Sequence, residues 1–303
     1  MKLSNNQKAV FALVIANLIW GAAPPIFKWS LQDIGPYTLA FLRFLIAAIL
    51  IFPFVKNKLS IKPQDYLKVF LMGFFGITIN IIFFFQGLLY APSINAAIIA
   101  SAGPVFIVLS SLFFLKEKPK SKVVLGTMIG LLGVFVFLIE PFFNSGGLGS
   151  SVGNFLILIA TFGAILHTMI GRQVAKRNNP ITITFWIFVI GTIGFMPFFA
   201  NEVAVKGFLP NLTGQAMIGI LFGAILSSLV AYLMQSFALK YLTAADVGVF
   251  AYIDPIITVL IAIPLLGEIP DLAFMIGAVM VFGGIFIAEG RIHYHPLHRL
   301  FKR

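Results

Sequence analysis

Long apolar runs, broken by short polar or basic stretches, fill nearly the whole chain. A helix that crosses a bilayer needs about 20 mainly apolar residues. Runs of that kind are Ala9–Trp29, Tyr37–Val55, Leu67–Leu89, Ile94–Leu115, Val123–Ile139, Gly153–Gly171, Ile181–Ala200, Gly214–Leu239, Ala244–Leu266 and Leu272–Glu289. They are too long for outer-membrane strands and lack their period-two alternation. The pattern predicts an all-α integral membrane protein with ten transmembrane helices. The first run follows a short basic N-terminus, as the apolar part of a signal peptide does. It continues far past the usual length of about 7–15 residues, so it is expected to stay as the first span.

The polar gaps then orient the spans. Of 21 Lys and Arg residues, Lys28 and Arg43 fall inside spans. Only Lys206 falls on one side of the predicted bundle, and all the others share the opposite side. Basic residues mark the cytoplasmic face, so both termini are expected there, in a plasma (inner) membrane. Acidic residues do not repeat the split, and they contribute little to topology.

Composition agrees with the spans. The chain is 60% hydrophobic and 10% charged, with a mean hydropathy of +1.02, whereas a soluble domain carries about 25% charged residues. A net charge of +11 could suggest nucleic acid, but the basic residues form no stripe or nucleic-acid motif. With no cysteine, thiol nucleophiles, disulfides and zinc–thiolate sites are excluded. No phosphate-loop motif occurs, which argues against ATP drive within this chain.

The two halves of the chain resemble each other. Leu115-Lys116-Glu117-Lys118-Pro119 matches Leu266-Gly267-Glu268-Ile269-Pro270. At the same offset Pro104 falls on Pro255, Gly126 on Gly277 and Gly133 on Gly284. Earlier, Pro36-Tyr37 falls on Pro180-Ile181, Phe41 on Phe185 and Pro53 on Pro197. The expected units are 1–143 and 153–290, joined by a flexible linker over 144–152 and followed by a basic cytoplasmic tail over 291–303. Five spans per unit is an odd number, so the second unit would enter the membrane from the opposite side. Inverted repeats of this kind build many secondary transporters, which rock around a site near the midplane.

These features resemble the EamA family of the drug/metabolite transporter superfamily. The resemblance is carried by Trp20-Gly21 with Lys28, Leu42-Arg43-Phe44, Gly103-Pro104-Val105 and Asp254-Pro255-Ile256, the last two each followed by a Leu-x-Glu. It spans nearly the whole chain and both repeats. Lys116 departs from the usual Gly before the Glu, which is present as Gly267. The resemblance implies a ten-span carrier, often an exporter of amino acids or other metabolites, without naming a substrate.

Polar groups inside the bilayer are costly and rarely accidental. Asp254, about halfway along its span, could hold a substrate amine or carry a proton. It could equally cap a restarting helix, with Pro255 at the first helical position; Gly103 and Pro104 would break the equivalent span. Asn17, Trp20, Gly21, Pro24 and Lys28 share one helix face, and Thr161, Ala164, Ile165, Thr168 and Arg172 form its counterpart. Both faces could line a central cavity or pack helices through small residues. Lys28 could also snorkel to the interface. Arg43 needs a partner such as Asp33 or backbone carbonyls, as a structural clamp or as an anchor for substrate. Asn80, Gln86, Ser101, Tyr232, Gln235 and Tyr252 are further candidates for the cavity wall. His167 is a candidate proton carrier beside Asp254. His293, His295 and His298 read as an exposed tail, so no metal site and no cofactor are expected.

The function expected is secondary transport of small metabolites such as amino acids by alternating access, with export as the direction. A lipid or polyprenyl-carrier flippase is the alternative on the same fold. An intramembrane enzyme would want a metal motif or paired acids, and only Asp254 lies deep in a span. The partners expected are a small-molecule substrate and the lipid bilayer, with no nucleic acid; a homodimer is compatible with the chain.

Overall fold

The computed structural model of the chain describes residues 4–103, 106, 121–143, 147–206, 213–242, 247 and 250–289. All regular structure among them is helical. In chain order the helices are α1 (Asn5–Ser30), α2 (Pro36–Val55), α3 (Pro63–Tyr90), α4 (Ser93–Ser101), α5 (Ser121–Phe143), α6 (Gly147–Ala175), α7 (Pro180–Lys206), α8 (Gly214–Tyr241), α9 (Ile253–Leu266) and α10 (Leu272–Glu289). Among the described residues six helices are long and apolar enough to cross a membrane, namely those of α1, α2, α3, α6, α7 and α8. Shorter apolar helices accompany them.

Local chemistry sets the helix ends. Ser4 caps α1 by accepting from Gln7 N, and the Gln7 side chain accepts from Ser4 N in return. This reciprocal box satisfies two of the donors a helix start leaves open. It begins α1 four residues before the apolar run. Pro36 opens α2 at its first position, where the missing N–H is no loss. α9 ends at Gly267, which turns the chain with φ 67°, a conformation that only glycine adopts at no steric cost.

Three expectations need correction. The stretch 144–152 is not a linker throughout, since α6 begins at Gly147. Ser150 and Ser151 are buried, and a helix already formed by the apolar residues that follow extends cheaply, one bond per residue. α5, expected over Val123–Ile139, is longer and runs from Ser121 to Phe143. Asp254 is not a cap: Tyr252 holds that position, after a 3-10 turn over Phe250–Tyr252, and Asp254 and Pro255 lie inside the first turn of α9. In the other half α4 ends with Ala102 as its cap, one residue before Gly103. Pro104, the segment around Glu117 and the three tail histidines lie outside the described residues.

Contacts along each helix pair give their directions. Tyr37 meets Phe198, Phe41 stacks on Phe199, Phe44 on Phe195, and Phe52 meets Phe185. Residue numbers rise in α2 as they fall in α7, so the two run antiparallel. α5 and α10 are antiparallel too. A Cβ added at Gly133 would stand 2.7 Å from Val281 N, and one at Gly284 would collide with the backbone at Gly130 and Gly126. Small residues here let two backbones touch, the usual basis of helix association in lipid. α3 packs on α6 and α1 on α8 in the same antiparallel sense.

α3 and α8 each depart from α geometry midway, over Phe74–Ile79 and Phe222–Val230, where the backbone is π-helical. Such stretches collect at functional sites. Here both border the same cavity.

Candidate functional site

A cavity of about 180 Å³ lies between α1, α2, α3, α4, α6, α8 and α9. Trp20, Pro24 and Phe27 of α1 form one wall, Thr161, Ala164 and Thr168 of α6 another. Its Phe27 end is buried, whereas Ala164 is exposed and Thr168 half-buried. The cavity therefore closes toward the C-terminal end of α1 and opens toward that of α6.

Asp254 reaches this wall because α1 and α9 approach closely at Gly21. A Cβ there would stand 2.8 Å from Asp254 O, and Thr258 donates to Gly21 O at 2.6 Å. Asp254 Oδ1 is buried and has no hydrogen-bond partner among the described residues. Gln235 Oε1 and His167 Nε2 share that condition, and both residues line the cavity. The other His167 ring nitrogen faces Met72 O at 3.4 Å. A buried polar group without a partner is destabilising by about 1–3 kcal/mol. Three such acceptors around one hollow are the chemistry of a site built for donors.

Arg43 is fully buried and held on three sides. Its Nε donates to Ser228 Oγ and its Nη2 to Ser227 Oγ, each at 3.0 Å. The guanidinium carbon lies 4.7 Å from the ring centroids of both Phe27 and Phe44. Nη1 has no partner among the described residues. In place of the expected Asp33 or backbone carbonyls stand two hydroxyls of the π stretch in α8, and Asp33 instead accepts from Thr213 Oγ1. Trp20 Nε1 donates to Ser227 O at 3.1 Å. Its ring meets Tyr232 edge-on at 5.3 Å, and Tyr232 meets His167 the same way at 5.5 Å.

Of the residues singled out from the sequence, Trp20, Pro24, Arg43, Asn80, Thr161, Ala164, His167, Thr168, Tyr232, Gln235 and Asp254 are thus brought together around one hollow. Asn80 also donates to Ala160 O. The others lie elsewhere. Asn17 donates to Leu13 O within its own helix, Ser101 to Ile98 O, and Gln86 to the Tyr37 hydroxyl. Tyr252 packs edge-on against Phe282 of α10. Pro255 is buried in α9. Lys28 does not snorkel free but pairs with Glu268 at 2.9 Å. Ser227 and Phe27 went unremarked in the sequence. The adjacent serines 227 and 228 in an apolar span were the available signal for the first; Phe27 is one of 34 phenylalanines and gave none.

The pattern that defines the EamA-like transporter family matches residues 7–139 and again 151–289. The chain belongs to the EamA-like transporter family. An uncharacterized transporter of Archaeoglobus fulgidus is 30% identical over 93% of this chain and 98% of its own length. A second from that organism is 28% identical over 95% of this chain and 99% of its own length. The uncharacterized transporter YetK of Bacillus subtilis is 24% identical over 92% of this chain and 86% of its own. One solved crystal structure has a similar fold, with a TM-score of 0.65, 19% identity, and coverage of 94% of this chain and 98% of that one. As an EamA-like transporter the chain is a multi-pass membrane protein, and the hollow between its helices is the candidate transport site.

Proposed function

We propose that this protein carries small amine-bearing metabolites, amino acids among them, out across the plasma membrane by alternating access. The observation behind this reading is the Asp254 carboxyl on the cavity wall, with a buried oxygen that no group among the described residues answers. Buried acids in membranes pair with something, and an ammonium group supplies the missing charge and donors. Gln235 Oε1 and His167 Nε2 can accept further hydrogens, while Arg43 Nη1 can donate to a carboxylate. A zwitterion uses both kinds of group. The volume suits a small solute, since pockets for drug-sized ligands run to about 300–1,000 Å³. Asp254 and His167 are the candidate sites for a coupled proton.

The machine proposed is ten spans in two five-helix units of opposite orientation, with both termini in the cytoplasm. The antiparallel pairs α2–α7 and α5–α10 support it, because each joins helices at matching positions of the two halves. So does the matching position of the two π stretches. On this orientation the cavity opens to the cytoplasm and is closed outside.

A lipid-flippase reading draws on an apolar groove of about 480 Å³ between α1, α7 and α8, lined by Phe11, Ile15, Met234 and Phe237 among others. It shares no lining residue with the central cavity, so a lipid headgroup has no lined path from one to the other.

The test is flux in liposomes holding the purified protein, with labelled amino acids, simple amines, carboxylates and lipids, with and without a proton gradient. Saturable flux of an amine-bearing solute is expected, and Asp254→Asn should abolish it. Flux confined to solutes without an amine would refute the reading.

A further inference from the structure

Beyond the cavity, the end that is shut is held by a compact ionic cluster. Lys28 Nζ lies 2.9 Å from Glu268 Oε1 and donates to Ala91 O at 2.6 Å. Glu268 also accepts from Ser93 N at 2.9 Å, from Ser93 Oγ at 2.7 Å and from Ile94 N at 3.1 Å. Both charged side chains are largely withdrawn from water, with 27% of Lys28 and 12% of Glu268 exposed.

Each partner arrives through a helix end. Lys28 lies in the last turn of α1, where the helix dipole favours a cation. Ser93 and Ile94 offer the open N–H groups of the first turn of α4, which favour an anion. Gly267 ends α9 with a left-handed turn, and Glu268 follows at once. The lysine and every donor thus belong to the first half of the chain, and the carboxylate to the second. At the opposite end Arg172, the counterpart of Lys28, donates to the backbone oxygen of Leu239 at 2.6 Å; Glu117, the counterpart of Glu268, lies outside the described residues.

A buried ion pair is a poor device for stability, since apolar contacts of the same volume do as well; its best-attested use is to fix or switch an arrangement. We propose that Glu268 is the gate carboxylate of this end. It holds the halves together by joining Lys28 to the first turn of α4, and it lets go of both when the end opens. The gate rests on the transport reading of the cavity, because only a carrier needs that end to open.

The chain has no cysteine, so introduced pairs report without background. Tyr90→Cys and Ile269→Cys, both at exposed positions, would carry nitroxide labels on opposite halves beside the cluster. Pulsed EPR on the purified full-length protein should give one short distance. In Lys28→Gln or Glu268→Gln the longer-distance population should rise about tenfold, the factor for loss of one charge-assisted hydrogen bond. Glu268→Gln is nearly isosteric and guards against a folding failure in the other variant. Unchanged distances in both folded variants would overturn the gate. A second measurement bridges Lys28→Cys and Glu268→Cys with a cleavable bis-thiosulfonate linker. Transport should stop and return with reductant; full transport while bridged overturns the gate and leaves the transport reading intact. Distances that widen in a protein that moves no solute would instead remove the transport reading, and with it the gate, while leaving Glu268 as a latch between the halves.

Discussion

Arg43 is buried and Asp254 half-buried on the cavity wall, and they stand in different conditions. The arginine gives Nε and Nη2 each one bond to the protein and leaves Nη1 open among the described residues, whereas the carboxyl keeps an oxygen for something else. Arg43→Lys should lose the paired serine bonds and the stacking on Phe27 and Phe44. A lysine is a point charge that cannot hold that fork, so stability should fall by about 2–4 kcal/mol, read as a lower unfolding temperature in detergent. Asp254→Asn should leave that temperature almost unchanged while transport falls at least about a hundredfold, since a neutral amide cannot balance an ammonium. Cost inside the bilayer made both residues visible in the sequence. The partner of Lys28 was not visible, because Glu268 sits in a loop and the two are joined only by folding. Its one trace was the Leu-x-Glu repeated in both halves, which marked the position without revealing its use.

Most helices could be read from apolar run length, and the expected edges fell short where polar residues cap or extend the helices, as Ser4 and Ser150 do. The π stretches were not legible. Thr78 in Phe74–Ile79 and the serine pair in Phe222–Val230 mark polarity but not a helix type, and the extra residue per turn comes from packing. The α5–α10 contact was half legible, as matched glycines without a stated partner. Gly133→Val or Gly284→Val should push those backbones apart and lower stability by about 1–3 kcal/mol, again seen in thermal unfolding. The loop between α9 and α10 carries the one titration that matters outside the spans. Burial tends to raise the Glu268 carboxyl, but Lys28 and the Ser93 bonds outweigh it and hold the group below its ordinary 4.5. Lys28 from α1 is the charged group facing it, with Ser93 and Ala91 neutral beside it. A lowered carboxyl contributes above its ordinary value and loses that contribution as pH falls through the folded one. The EPR distance across the cluster should therefore stay short from pH 8 down to about 5 and lengthen only below the ordinary carboxylate range.

At the scale of the molecule, the distribution of lysine and arginine makes the sharpest claim. With both termini inside, a fluorescent protein fused to either end should glow in cells, and alkaline phosphatase fused there should be inactive. An active phosphatase at one end only would mean an odd number of spans and would dissolve the two-unit plan.

Finally, α2 leans on α7 and α5 on α10, so each of these helices is clasped by its own duplicate. A lone ancestral unit, inserted both ways up, could have found the same grip in a second copy before any chain joined them. The covalent link between Phe143 and Gly147 is then a convenience of inheritance, and two separately made fragments cut there should still find each other in one membrane.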